Sequence, residues 1–384
     1  MGRTPTTSEL CYSRPDVQQG LAQIVADYAE GRPEVDYLHF WFDDRPINTC
    51  ECERCRDKKP SEFFVQILNG IDRELIRRGL STRIVFLIYQ DLRWAPDTAR
   101  FANPDRFVLM FAPSGRKYDV PYELPPPGFP VPPYQPNKNP GTSDVREHLA
   151  FLREWQRIFQ GPGFVYDYHM TWYHFFDQGY YGLVDVMAED IRRLPQMNLH
   201  GFVSCQNQKA FYPHGFPMYA HARLLWSPQQ QVDDLARAYF ESAFGADGAL
   251  ALAQMKQLSD LFSPLYFYAR RSGTAAAAKP GDPVGQAVPE KLLQVPDAVQ
   301  KFRPVIERNL ARGDPAHRLS WKHLSVHAGM VVPMAEALRA RVEGRSKDEA
   351  AHWKAVRQYV IDHEAITENV FDFFWFQRTF PGVR

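Results

Sequence analysis

Val35-Asp36-Tyr37-Leu38-His39-Phe40-Trp41-Phe42-Asp43-Asp44, followed by Cys50-Glu51-Cys52-Glu53-Arg54-Cys55, is the stretch on which the reading of this chain turns. Its first part is a short apolar and aromatic run, rich in β-formers, and reads as a buried strand closing on two adjacent carboxylates. In a barrel of parallel strands, residues just past a strand's C-terminal end line the active site. Asp43 and Asp44 are therefore candidate catalytic acids, with an ordinary acidic turn as the plain alternative. Two neighbouring acids repel, which raises one pKa and favours a retained proton. Glycoside hydrolysis commonly needs one protonated carboxyl and one ionised group.

Outward from this stretch, strands and helices alternate. Apolar residues Val17, Leu21, Ile24, Val25 and Tyr28 have helical spacing over residues 14–30. Ser61 is expected to cap a second helix running to about Gly79. Further strands are expected at 83–90, 107–111, 164–169 and 201–205, with helices near 143–159 and 182–194. This alternation is the signature of a parallel sheet with crossover helices. From about Ser227 onward no strand pattern is found, and helices are expected near 228–243, 247–269, 289–312, 315–342 and 347–375. The reading is thus a glycosidase-like β/α barrel portion over residues 1–226 and an all-helical C-terminal domain over 227–384.

A (β/α)8-type barrel needs eight strands, and the pattern supplies five. The opening helix looks like the end of a preceding βα unit, so the five map onto units four to eight of an N-terminally incomplete barrel. An open five-stranded sheet is the alternative. Either way an edge should be left open, which invites a homodimer contact or a missing N-terminal barrel segment. Between Pro113 and Pro140 the chain carries ten prolines. It is a stiff excursion that either walls a cleft or merely links.

Composition bounds the function. The chain has 384 residues, 45% hydrophobic and 23% charged, with formal net charge zero. The absence of a basic excess argues against nucleic acid or an anionic membrane as partner. No apolar run reaches transmembrane length. The N-terminus carries no apolar signal region, so a soluble, non-exported protein is expected unless an upstream signal was lost. Aromatic content is 14%, and much of it falls in loops. Sugar rings stack on aromatic faces, which points to a carbohydrate partner, against the plain alternative of core filling.

Other strand ends repeat the acid-and-aromatic pattern. The second gives Tyr89-Gln90-Asp91 and the fourth Asp167-Tyr168-His169, followed by Thr171-Trp172-Tyr173-His174. The fifth gives Gln206-Asn207. Asp91 and Asp167 are alternative catalytic carboxylates. Tyr89, Tyr168 and Trp172 are candidate sugar platforms, and His169, Gln206 and Asn207 candidate polar substrate contacts. His169 and His174 read most simply as hydrogen-bonded rim residues.

Cys50, Cys52 and Cys55 are close enough for thiolate ligation of a structural zinc, with Cys11 the candidate fourth ligand. A Cys52–Cys55 disulfide is the rival. A thiolate set is the wrong kind for an open catalytic zinc. No organic cofactor is expected. Cys205 reads as a buried small side chain.

Leu10-Cys11-Tyr12-Ser13-Arg14-Pro15-Asp16-Val17, the strand ending in Asp and the Cys50–Arg56 cluster resemble the bacterial domain of unknown function 4838. Ala222-Arg223-Leu224-Leu225-Trp226-Ser227-Pro228 and Tyr239-Phe240-Glu241-Ser242-Ala243-Phe244-Gly245 are similar to it too, so the resemblance spans roughly residues 8–270. It implies a glycosidase-like barrel, distantly related to α-glucuronidases and hexosaminidases, with more barrel sequence upstream. Phe42-Asp43-Asp44 is also similar to the paired aspartates on strand four of family 84 glycoside hydrolases. That likeness implies that Asp43 orients a substrate acetamido group and that Asp44 is the general acid. The expected activity is hydrolysis of a glycosidic bond, and the rival is a non-catalytic carbohydrate-binding or scaffold protein on a degenerate barrel.

Overall fold

The computed structural model describes residues 8–44, 48–116, 118, 120–139, 141–171, 173–271, 289–312, 314–380 and 382. Five strands, β1 (Tyr37–Phe40), β2 (Arg83–Ile88), β3 (Phe107–Phe111), β4 (Gly163–Asp167) and β5 (Phe202–Ser204), form one sheet in the order of the chain. β1 pairs parallel with β2, β2 with β3 and β3 with β4. At β4, His200 N–H donates to the Gly163 carbonyl at 2.8 Å and Val165 N–H to the Gly201 carbonyl at 3.0 Å. Strand order never reverses, which is the progression of a barrel wall rather than of a doubly wound sheet. Five strands make a half-barrel.

The chain divides into two compact units. The first comprises Met1–Arg116, Tyr122–Asp167 and Arg193–Val203; the second comprises Lys117–Pro121, Tyr168–Arg192 and Ser204–Arg384. The sequence reading set one boundary after residue 226, whereas the observed units interleave. The stretches after β4 and β5 make their contacts with the helical residues.

In the first unit, β2 and β3 are apolar at almost every position and buried along their length, as parallel strands covered on both faces are. β1 departs from its expected burial. Its four residues alternate exposed and half-buried, because it is the sheet's edge strand. Helix α1 (Pro15–Glu30) packs on α2 (Pro60–Arg77). Phe64, Ile67, Leu68, Ile71 and Leu75 of α2 recur at helical spacing and are buried. The cap of α2 is not Ser61. The helix begins at Pro60, whose fixed φ suits the first turn, and Lys59 stands at the cap position without a side-chain bond. Glu62 explains why that end stays in register. Its carboxylate accepts from the amides of Asp97, Thr98 and Ala99 and from the Thr98 hydroxyl. It thereby ties down the β2–β3 connection, which contains two 3₁₀ turns and no α-helix. Helix α3 (Val145–Gln156) is capped by Asp144 and buries Trp155, whose indole donates to the Leu92 and Arg93 carbonyls.

The second unit is helical. A helix over Phe216–Trp226, which sequence patterning missed, precedes those at Val232–Phe244, Gly248–Arg271, Val295–Arg312 and Pro315–Val342. The helix expected over 347–375 is broken into Ser346–Asp362, Glu364–Thr367 and Phe373–Thr379. Asp177 anchors the start of helix α4 (Gly182–Arg193): its carboxylate accepts from the amides of Gly179 and Leu183 and from the Ser259 hydroxyl. No described helix is long and apolar enough to cross a membrane.

Candidate acid site and cysteine cluster

β1 and β2 run side by side, so the residues three past each strand end fall together. A small cavity in the first unit is lined by Asp43 and Trp41 from the first end, Tyr89, Gln90 and Asp91 from the second, and Glu9 from the N-terminal segment. Gln90 has a left-handed backbone, φ +49°, uncommon for a residue other than glycine and frequent at functional turns. It is held there by the Arg93 guanidinium, which donates to its carbonyl at 3.1 Å and also to the Asn139 side chain. This turn aims Asp91 into the cavity.

Asp91 is 5% exposed, and neither carboxyl oxygen has a hydrogen-bond donor in bonding geometry. Burial pushes its pKa up to about 7, against the weaker pull of the Arg93 charge and the nearby Asn139 amide. A carboxyl in this setting keeps its proton near neutral pH. Glu9 is half-buried, its Oε2 closed off and without a donor. Burial, then the charges of Asp91 and Asp43, push its pKa to about 7. Asp43 and Asp44 are both exposed. The Tyr89 hydroxyl lies beside Asp44, and burial raises the pKa of that phenol.

Asp167 does not line this cavity. It is fully buried at the end of β4, ion-paired with buried Arg116 at 2.9 Å, and accepts from the Tyr122 hydroxyl at 2.5 Å. Tyr168, His169, Gln206 and Asn207 belong to the second unit. There Tyr168 and Gln206 are half-buried, while Asn207 is buried with its amide nitrogen unpartnered. His169 is buried, with Nε2 2.8 Å from Asp190. His174 in the same unit is also buried, and burial lowers its pKa to about 3. Trp172 lies outside the described residues.

The cysteines converge. The sulfurs of Cys11, Cys50, Cys52 and Cys55 lie within 4.8 Å of one another, and no disulfide joins them. Cys11 Sγ is 3.8 Å from Cys52 Sγ and 3.8 Å from Cys55 Sγ. A hydrogen bond from the Arg54 amide lowers the pKa of Cys52, and burial raises that of Cys55. Four sulfurs at such spacing can surround one metal ion. Cys205 is half-buried, not buried as the sequence suggested, and is not a member of this set.

The proline-rich stretch walls the small pocket over Cys50 and Cys55, through Tyr134 and Pro136, and does not line the acid cavity. Trp94 Nε1 donates to the Pro132 carbonyl at 2.6 Å, Asn137 binds Thr49 beside the cysteines, and Asn139 binds Arg93 beside Asp91. Glu9 escaped sequence reading because it precedes every strand. Only its two-residue spacing from Cys11 marked it, and then only if the cysteine cluster were already accepted.

Comparison with known proteins supplies the remaining context. No curated protein matches the chain. A solved structure that resembles it is that of a GH138 enzyme targeting pectin rhamnogalacturonan II, at 9% identity and a TM-score of 0.36. The likeness covers 96% of this chain, which spans 61% of that one. The family model described as domain of unknown function, DUF4838, matches residues 2–257. The chain belongs to the DUF4838 family.

Proposed function

We propose that this protein hydrolyses a glycosidic bond, with Asp91 as general acid and Asp43 or Asp44 as the partner carboxylate. The observation that carries this is the state of Asp91. A carboxyl without donors, its pKa near 7, sharing a cavity with the exposed Asp43 carboxylate of the neighbouring strand end, supports the unequal pair that glycoside hydrolysis uses. Sequence reasoning gave the acid role to Asp44; burial favours Asp91 instead, because Asp44 is exposed. Tyr89 and Trp41 offer ring surface beside the acids for a carbohydrate partner. The test is a panel of aryl glycosides and oligosaccharides. With any substrate found, Asp91→Asn should lower turnover about 10²-fold or more, the scale of a lost general acid. Near-normal turnover would remove Asp91 from the role.

The outer edge of β1 carries no neighbouring strand among the described residues. It favours a second reading, in which another barrel segment or a second copy of the chain covers that edge. Without such a cover the chain would bind carbohydrate and not cleave it. Binding of a panel oligosaccharide with no turnover would select this reading.

The four cysteines are proposed to hold a structural zinc ion. Zn–S bonds of about 2.3 Å in a tetrahedron place sulfurs about 3.8 Å apart. That matches the separations from Cys11 to Cys52 and Cys55.

A further inference from the structure

The cysteine cluster and the acid cavity share a piece of chain. Ser8–Ser13 carries Glu9 into the cavity and Cys11 into the thiol cluster. Beside it runs the segment Asn48–Cys50, and Glu9 N–H donates to the Asn48 carbonyl at 3.3 Å. Two residues further along each segment stand Cys11 and Cys50, both members of the cluster. Pro60 lines both the acid cavity and the small pocket over Cys50 and Cys55. Tyr12 stacks on Phe42 with ring centroids 3.8 Å apart, directly before Asp43.

Three of the four thiols come from one loop, and Cys11 alone comes from the N-terminal segment. Cys11 and Ser13 touch the cluster, and from Cys11 onward the segment is held by the burial of Tyr12 in the core, its stack on Phe42, the Arg14 amide bond to the Cys11 carbonyl and a Gln18 side-chain bond to the Tyr12 carbonyl. On the Glu9 side of Cys11, by contrast, the described backbone tie is the 3.3 Å Glu9–Asn48 bond, which contributes little against the entropy of ordering those residues. A metal ion bound to Cys11 supplies the missing constraint.

We infer that metal at the four cysteines assembles the acid site, holding Ser8–Ser13 beside Asp91 so that loss of metal opens the Asp91 carboxyl to water. The inference rests on the metal reading of the cysteines. It does not depend on the identity of any substrate.

The experiment follows the Asp91 carboxyl carbon by NMR in protein labelled at aspartate Cγ, its resonance assigned as the one missing from Asp91→Asn. With zinc bound, the carboxyl should titrate near 7. After chelation, and in Cys11→Ser, it should move toward the ordinary value of about 4 while the far-ultraviolet helix signal persists. Cys205→Ser should leave it unchanged. An Asp91 titration identical with and without metal would overturn the inference and leave the zinc site standing. Loss of the helix signal on chelation would also overturn it, since the cluster would then hold up the whole unit. Protein that binds no zinc at all would instead remove the metal reading, and this inference with it.

Discussion

The backbone amide of Thr49 donates to Oδ1 of Asn137 at 2.7 Å, across 88 residues of sequence. The Thr49 hydroxyl donates to the same oxygen at 3.0 Å, and the Asn137 amide returns bonds to the Thr49 carbonyl and the Glu51 carboxylate. Asn137 has φ +55°, a left-handed conformation that asparagine tolerates and alanine resists. One side chain thus closes the proline-rich wall onto the loop that carries three of the cysteines.

Asn137→Ala should accordingly destabilise the first unit by about 1–3 kcal/mol, through unmet partners at Thr49 and backbone strain. Asn137→Gly relieves the strain and isolates the side-chain loss. The urea midpoint measures both variants. Two variants indistinguishable from the parent would mean that the contact contributes nothing in solution.

Zinc is the next expectation. Protein purified without added metal should contain about one zinc per chain by elemental analysis. A chelator should lower the thermal midpoint, because a metal bound only by the folded chain stabilises it by mass action. Serine at Cys50, Cys52 or Cys55 should weaken retention sharply. A mass two hydrogens short, with no metal, would favour the Cys52–Cys55 disulfide.

Much of this arrangement was legible in the sequence for a physical reason. Ile84–Ile88 and Phe107–Phe111 read as strands because parallel strands buried on both faces are apolar throughout. Cys11 was found as the fourth thiol because three cysteines within six residues leave a tetrahedral ion one ligand short. What patterning missed depends on contacts distant in sequence. Tyr37–Phe40 looked buried because aromatic content reports β-propensity, whereas its exposure follows from sitting at the sheet edge. Ser61 looked like a cap, but Pro60 had already begun the helix. That Asp91 is buried and Asp44 exposed depends on which carboxyl the chain covers, and neither strand end encodes that locally.

Asp91 also predicts a dependence of stability on pH. Its carboxyl titrates near 7 in the fold and near 3.8 in the unfolded chain. Between those values the folded chain holds a proton that the unfolded chain has released, so stability falls as pH rises. The contribution is complete below about pH 4 and lost by about pH 7, at about 1.4 kcal/mol per unit of pKa difference as an upper scale. Asp91→Asn keeps the shape without the charge. It should flatten the slope and exceed the parent in stability at pH 8, with Glu9, raised in the same direction, leaving a residual slope. Parallel stability curves for parent and variant, measured by urea unfolding from pH 4 to 8, would contradict the burial of Asp91.

Asp167 is held by an ion pair instead. It and Arg116 are both fully buried and joined at 2.9 Å, with the Arg116 guanidinium also 4.0 Å above the Tyr122 ring. Removing one member of such a pair strands the other charge in a dry interior, at about 3–5 kcal/mol. Arg116→Met should therefore be severely destabilising. The double variant Arg116→Met with Asp167→Leu should recover much of the loss, since a buried pair often exchanges for apolar packing at little cost. Chemical denaturation of the two singles and the double completes the cycle. A cost below about 1 kcal/mol for Arg116→Met would show that water reaches the pair, as it does for surface ion pairs. If a glycoside substrate is found, the same series separates the two aspartates. Asp91→Asn should lose turnover in a chain that remains stable, whereas Asp167→Asn should lose stability first, because its carboxylate already accepts from Arg116 and Tyr122.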